Sequence, residues 1–173
     1  MPARARKPAK SRRVAVVVSR YNAAVTDALL EGALDEARAR GVAREDVVVV
    51  PAPGAFEVPA LCLAAAKRGD IGGVVALGCI IKGETIHDRV LADAVTRALL
   101  SVACETMVPV SLGVLTVNNA AQARARAGGK LGNKGAEAMG ALLDTMGVLD
   151  ALRGDGLSIA RAPARPDKTK GRA

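Results

Sequence analysis

Val74-Val75-Ala76-Leu77-Gly78-Cys79-Ile80-Ile81-Lys82-Gly83-Glu84-Thr85-Ile86-His87 is the stretch from which the architecture can be read. Apart from Gly78, residues 74–81 are apolar throughout, as in a strand buried on both faces, whereas a strand with one wet face would alternate. A short loop follows and opens a helix predicted over 87–105, where Val90, Leu91, Ala94, Val95, Ala98, Leu99 and Val102 recur at helical spacing. A buried strand, a tight loop and a long helix make one repeating unit of an α/β domain.

The same grammar extends in both directions. Residues 14–19, 47–51 and 109–115 are further apolar runs. Helices are predicted over 26–40, with Leu29, Leu30, Ala33, Leu34 and Ala37 on one face and Gly41 as the stop, and over 58–68, with Leu61, Cys62 and Ala65 on one face. Two more are predicted over 120–127 and 135–152, split by Gly128-Gly129-Lys130-Leu131-Gly132-Asn133. Four strands alternating with helices predict βαβ units in a single three-layer α/β/α sandwich around a four-stranded parallel sheet, wound in both directions. Its ligand crevice would be formed by the loops at the carboxyl ends of the strands, residues 20–24, 52–57, 81–87 and 116–119.

A length of 173 residues, half of them hydrophobic, suits one domain, expected over 14–152. No apolar run approaches the roughly 18 residues that span a bilayer, and the basic start leads into a strand rather than a signal-peptide core, so a soluble cytoplasmic protein is expected. Cys62, Cys79 and Cys104 are odd in number and have one histidine for company, which supports neither disulfides nor a metal site; they are expected to be reduced core thiols. The net charge of +8 belongs to the ends. Residues 1–13 hold six Lys or Arg and no acid, and 153–173 hold six against Asp155 and Asp167. Removing those 12 basic and 2 acidic residues from 25 and 17 leaves 13 against 15. Both ends therefore read as flexible basic tails that solubilise, and no nucleic-acid partner is expected.

The chain has two aromatic residues, Tyr21 and Phe56, and one histidine, His87, and all three fall in the predicted crevice loops. Rings at the mouth would stack on a planar ligand, although each could instead be a core residue, and for Phe56 core packing is the stronger alternative. At the start of the helix after Ile81, free N–H groups, Gly83 and the Thr85 hydroxyl suit an anion such as phosphate. Thr85 as a plain N-cap and Gly83 as a turn residue fit the same pattern, and Glu84 is tolerable beside an anion only if its side chain points away. Histidine titrates near neutrality, which suits His87 to proton transfer at that mouth.

With these motifs laid out, the chain resembles a known family. Asn22 after an aromatic, Pro53-Gly54-Ala55-Phe56-Glu57-Val58-Pro59, the segment from Leu77 to His87, Gly113-Val114-Leu115-Thr116, Arg126-Ala127-Gly128 and Gly132-Asn133-Lys134-Gly135 are similar, in this order, to 6,7-dimethyl-8-ribityllumazine synthases. The resemblance implies flavodoxin-like winding and condensation of 5-amino-6-(D-ribitylamino)uracil with 3,4-dihydroxy-2-butanone 4-phosphate, a step of riboflavin synthesis needing neither cofactor nor metal. It implies that Tyr21 stacks on the pyrimidine and that Asn22, Ala55, Phe56 and Glu57 line the ring and ribityl pocket. Backbone groups of Cys79, Ile80 and Ile81 would read the ring edge. Gly83, Glu84, Thr85 and Arg126 would hold the phosphate, His87 would transfer protons, and Lys134 would face a neighbouring subunit's site.

Two positions depart from the family pattern. Leu112 stands where a phenylalanine usually covers the substrate, and Val117-Asn118-Asn119 lacks the acid common after the threonine. The resemblance further implies a homo-oligomer with sites between adjacent subunits of a pentamer, alone or stacked into a decamer or a sixty-subunit icosahedral capsid, with riboflavin synthase as a candidate partner. The short 128–133 connection is similar to that of the shell-forming members. A noncatalytic lumazine or flavin carrier on the same scaffold would not need His87, Arg126 and Lys134. A nucleotide-binding domain would show a Gly-x-Gly-x-x-Gly turn after its first strand, which is absent after Ser19.

Overall fold

A computed structural model describes residues 13–154. Its elements run β1 (Arg13–Ser19), α1 (Ala23–Ala39), β2 (Val47–Ala52), α2 (Val58–Ala66), β3 (Ile71–Ile81), α3 (His87–Thr106), β4 (Val110–Val117), α4 (Ala120–Arg126), β5 (Ala127–Gly129), β6 (Gly132–Asn133) and α5 (Lys134–Arg153), with one 3-10 turn at Arg44–Asp46 before β2. The expected basic tails lie outside the described residues except at their inner ends, where Arg13 opens β1 and Arg153 closes α5.

Four strands pair in parallel in the order β2-β1-β3-β4. Val14 sits between Val47 and Gly73, and Val17 between Val50 and Ala76. Successive residues of a strand point to opposite faces, so the inner strands must be apolar at every position. Val14, Val16, Val18, Val75, Leu77 and Cys79 pack beneath α1 and α5 against Leu29, Ala33, Met139 and Leu142. Ala15, Val17, Val74 and Ala76 face the other way and pack beneath α2 and α3 against Val58, Cys62, Val95 and Leu99. Each fully buried Val or Leu contributes roughly 1.5–3 kcal/mol relative to an exposed one, so these two layers dominate the stability. The result is the three-layer α/β/α sandwich expected from the sequence.

The differences from the expected boundaries have physical reasons. β3 starts at Ile71 and takes in Gly72-Gly73, because Ile71 and Gly73 pair with Arg13 and Val14 of β1; Met146 and Leu142 of α5 fill the space where a Cβ on Gly73 would stand. α1 begins at Ala23 rather than Thr26, because Asn22 adopts a left-handed conformation from which the helix starts at once. The glycine-rich connection is an antiparallel hairpin of β5 and β6, with positive φ at Gly128 (99°) and Gly132 (77°). Its strands are too short to leave a period in the sequence. Asn133 locks this hairpin in place: its Oδ1 accepts from the N–H groups of Gly135 (2.8 Å) and Ala136 (3.3 Å), and its Nδ2 donates to the Ala28 carbonyl (2.8 Å).

The cysteine expectation needs a correction. Cys62 and Cys79 are buried, but Cys104 is exposed, because it lies on the face of α3 opposite the buried Val95, Leu99 and Val102. Burial pushes the Cys62 thiol up to about 12. A thiol with a raised folded-state value leaves stability untouched below its ordinary value of 9.0 and erodes it as pH climbs toward about 12, because the unfolded chain ionises first. Cys62 is therefore expected to stay unalkylated by iodoacetamide at pH 8 in the folded protein and to react once denaturant is added. Mass mapping that finds Cys62 modified within minutes under native conditions would contradict its burial.

Candidate active site

The strand order reverses between β1 and β3: the chain leaves β1 toward β2 on one side and leaves β3 toward β4 on the other. Loops that diverge in this way open a crevice at the carboxyl ends of the strands. A cavity of about 520 Å³ lies there, within the size range of small-molecule sites. The loop after β1 gives Tyr21 and Asn22, the loop after β2 gives Gly54, Ala55, Phe56 and Glu57, and the end of β3 with the start of α3 gives residues 79–83, Thr85, His87, Asp88 and Leu91.

Tyr21 and Phe56 are 71% and 69% exposed, so both rings stand at the cavity mouth and the core is filled by Val, Leu, Ile and Ala without them. Core packing is thereby excluded for Phe56. Its neighbour in the chain, Ala55, is buried, and Glu57 is exposed at the start of α2. His87 is the first residue of α3 and is also exposed toward the cavity.

At the end of β3 the backbone divides its hydrogen bonds between two sides. The N–H groups of Val74 and Lys82 donate to Pro109 and Val117 beside β4, at 2.9 and 2.8 Å, so even-numbered residues of this segment face β4. Odd-numbered residues face β1, whose pairing with β3 ends at Val18 and Leu77. Beyond that point the backbone groups of Cys79 and Ile81 face the crevice. Ile80 departs from expectation, since its N–H and C=O turn toward β4 and it contributes other lining atoms. The Cys79 thiol packs among core residues, and burial raises its pKa, which leaves it protonated and unsuited to nucleophilic chemistry at neutral pH.

The helix opening combines both uses that the sequence allowed. Thr85 Oγ1 accepts from the His87 N–H at 3.3 Å, a partial cap, while the residue at the cap position itself, Ile86, has no side-chain capping bond. Open space surrounds the position of a Cβ on Gly83, so a ligand can approach the backbone there. A helix N-terminus also favours negative charge, and Asp88 in the first turn, 8% exposed, exploits the same field.

Four expected residues lie outside this cavity: Glu84, Leu112, Arg126 and Lys134. Leu112 is mid-strand in the edge strand β4, opposite Ala76, and is 52% exposed. The Arg126 guanidinium ends α4 and donates back to the Gln122 carbonyl at 3.1 Å. Lys134 opens α5 and pairs with Glu137 at 2.5 Å. Residues 116–119 line nothing in the cavity either. Sequence reasoning missed Asp88 and Leu91 as lining residues and gave no role to Gly54 and Lys82, which lie inside the predicted crevice loops. Lys82 was legible, being the cation next to Gly83 in the quoted loop. Among the described residues, no three His, Cys, Asp or Glu side chains are grouped to hold a metal, and no helix is long and apolar enough to cross a membrane.

A doubly wound α/β domain with one cavity at its switch point, two rings and a histidine at the mouth and a helix N-terminus in its wall defines a small-molecule enzyme. The model of the family described as 6,7-dimethyl-8-ribityllumazine synthase matches residues 11–150. Proteins of that description from Chlorobium phaeobacteroides and Edwardsiella ictaluri are 48% and 46% identical over 130 and 142 residues, which is 75% and 82% of this chain and 84% and 91% of theirs. One from Pediococcus pentosaceus is 39% identical over 136 residues, 79% of this chain and 87% of its own. The chain belongs to the 6,7-dimethyl-8-ribityllumazine synthase family of riboflavin biosynthesis.

Proposed function

We propose that this chain condenses 5-amino-6-(D-ribitylamino)uracil with 3,4-dihydroxy-2-butanone 4-phosphate, releasing lumazine, phosphate and water, in the cytoplasm and without metal or cofactor. The observation that carries this proposal is the meeting of Tyr21, Phe56, Glu57, Gly83, Thr85 and His87 around one cavity in a chain of this family. The pyrimidine stacks on the mouth rings, its edge meets the backbone of Cys79 and Ile81, and Glu57 accepts from ribityl hydroxyls. The phosphate lies at the start of α3 against Gly83 and Thr85. The ring amine attacks the ketone to form an imine and water, phosphate leaves, and ring closure expels a second water. His87 carries protons between these steps.

Leu112, Arg126 and Lys134 act, on this proposal, in the cavity of a neighbouring copy, with Arg126 forking onto the phosphate oxygens. Their positions outside this chain's cavity support that division. So do Ile86, Val90 and Leu100 of the α3 region and Leu112 at the sheet edge, large apolar side chains left in solvent. A pentamer, alone or stacked into a decamer or a sixty-subunit shell, is the assembly such sharing calls for, and sedimentation separates the three by mass. Riboflavin synthase is the partner such a shell would hold.

Subunit mixing tests the proposal. Arg126→Ala alone is expected to raise KM for the butanone phosphate with a small change in kcat, and His87→Ala to do the reverse. Unfolded together and refolded as mixed oligomers, the two variants should recover about a quarter of wild-type activity at limiting phosphate substrate, the chance that both contributors to one site are intact. No recovery in verified mixed oligomers would mean that each site is built within one chain.

A further inference from the structure

Asn22 is a helix-capping residue type whose side chain does no capping. Its carbonyl starts α1, accepting from the N–H groups of Val25 (2.8 Å) and Thr26 (3.1 Å), yet its side chain makes no bond to that helix. The amide Nδ2 instead crosses the crevice and donates to the carbonyl of Cys79 at 2.9 Å. To do so the residue takes φ 62° and ψ 44°, a left-handed conformation that is unfavourable for most side chains and that asparagine tolerates better than others. Such strain persists where the surroundings hold it in place.

The position of this bond gives it a purpose. The loop after β1 carries Tyr21, and β1 itself stops pairing with β3 at Leu77, two residues short of Cys79. Beyond that point no ladder bond joins the two walls of the cavity, and the Asn22 amide takes the place of one. On its other side the Tyr21 N–H donates to Ser19 Oγ, which is buried, at 3.2 Å. The turn that bears the ring is thus fastened at both ends, once to its own strand and once to β3.

We infer that Asn22 is a positioning residue rather than a substrate ligand: its amide holds the Tyr21 wall at a fixed distance from the end of β3 and fixes the direction of the Cys79 carbonyl, so that the slot for a planar ring is formed before the ring arrives. This rests on the proposed stacking of the ribitylaminouracil on Tyr21. Pre-forming the slot saves ordering on binding, so the effect belongs mainly in affinity for the ring substrate.

Three variants and one double variant test the inference in the assembled enzyme. Asn22→Gly keeps the left-handed backbone and removes the amide; it is expected to raise KM for the ribitylaminouracil about five- to tenfold, with kcat and KM for the butanone phosphate within about twofold. Asn22→Asp retains the conformation but sets a carboxylate against the Cys79 carbonyl, and should raise that KM further. Asn22→Ala adds backbone strain and should also lower the unfolding midpoint, which Asn22→Gly should not. Because Asn22 acts through Tyr21, adding Asn22→Gly to Tyr21→Leu should change KM by less than about twofold. An unchanged KM in Asn22→Gly, or a full additive effect in the double variant, would overturn the positioning role. Wild-type protein that forms no lumazine would instead remove the stacking proposal, an outcome separate from either of these.

Discussion

His87→Ala lowers kcat for lumazine formation about a hundredfold while KM for each substrate stays within about threefold. A positioned general acid or base contributes roughly 10²- to 10⁴-fold, and the lower end applies here because the imidazole stands in solvent, where water can replace part of its service. The histidine touches the cavity from the first residue of α3, beside the loop proposed for the phosphate, and its loss removes no wall against which the ring substrate stacks. A change that lowers kcat and kcat/KM together marks a contact made in the transition state, whereas a raised KM at constant kcat marks simple binding. Steady-state kinetics with each substrate varied in turn distinguishes the two, and added imidazole should restore part of the lost rate. A His87→Ala enzyme with wild-type kcat would remove His87 from the chemistry.

Gly135→Ala destabilises the fold by about 3 kcal/mol, at the upper end of the cost of overpacking a core. A methyl group on Gly135 would overlap the Leu29 carbonyl, a backbone oxygen of α1 that cannot turn aside as a side chain could. The gain in helix propensity from glycine to alanine, about 1 kcal/mol at most and less in a first turn, cannot offset that. Relieving the overlap would push α5 off α1 and strain the bonds by which Asn133 holds both helices, and with them the hairpin between Arg126 and Lys134. Gly147→Ala, in the same helix with open space around its Cβ, should have the opposite sign and stabilise by about 0.5–1 kcal/mol. Urea midpoints at one fixed protein concentration provide the comparison, since assembly adds to apparent stability. Equal midpoints for the two variants would mean that α1 and α5 do not meet as closely as described.

The sheet was legible because its inner strands must be apolar on both faces, and residues 14–19 and 74–81 say so almost without interruption. The register-level details were not. Gly72 and Gly73 carry no hydrophobic signal; pairing with β1 makes them part of β3, and Leu142 and Met146, about 70 residues away in sequence, fill the space over Gly73. The start of α1 depends on a left-handed asparagine, which periodicity cannot report, and the hairpin of β5 and β6 is too short to have a period.

For the site, scarcity did much of the work. With so few rings and one histidine, Tyr21, Phe56 and His87 stood out, and the parallel-sheet rule located them at one end. Asp88 and Leu91 were harder to separate from the many other polar and helical residues of the chain. Nothing local in the sequence tells that Leu112, Arg126 and Lys134 lie away from this chain's cavity, because that depends on how the edge strand and the hairpin turn in three dimensions. The same holds for the Asn22 amide, whose partner Cys79 is 57 positions along the chain.

The most direct measurement is the rate of lumazine formation, followed by absorbance, when the purified wild-type protein is mixed with 5-amino-6-(D-ribitylamino)uracil and 3,4-dihydroxy-2-butanone 4-phosphate. A rate that rises in proportion to protein concentration above the uncatalysed background, and falls when His87 is replaced, is the predicted result. Tight binding of lumazine or riboflavin with no rise above background would contradict the account and leave a carrier on a synthase scaffold.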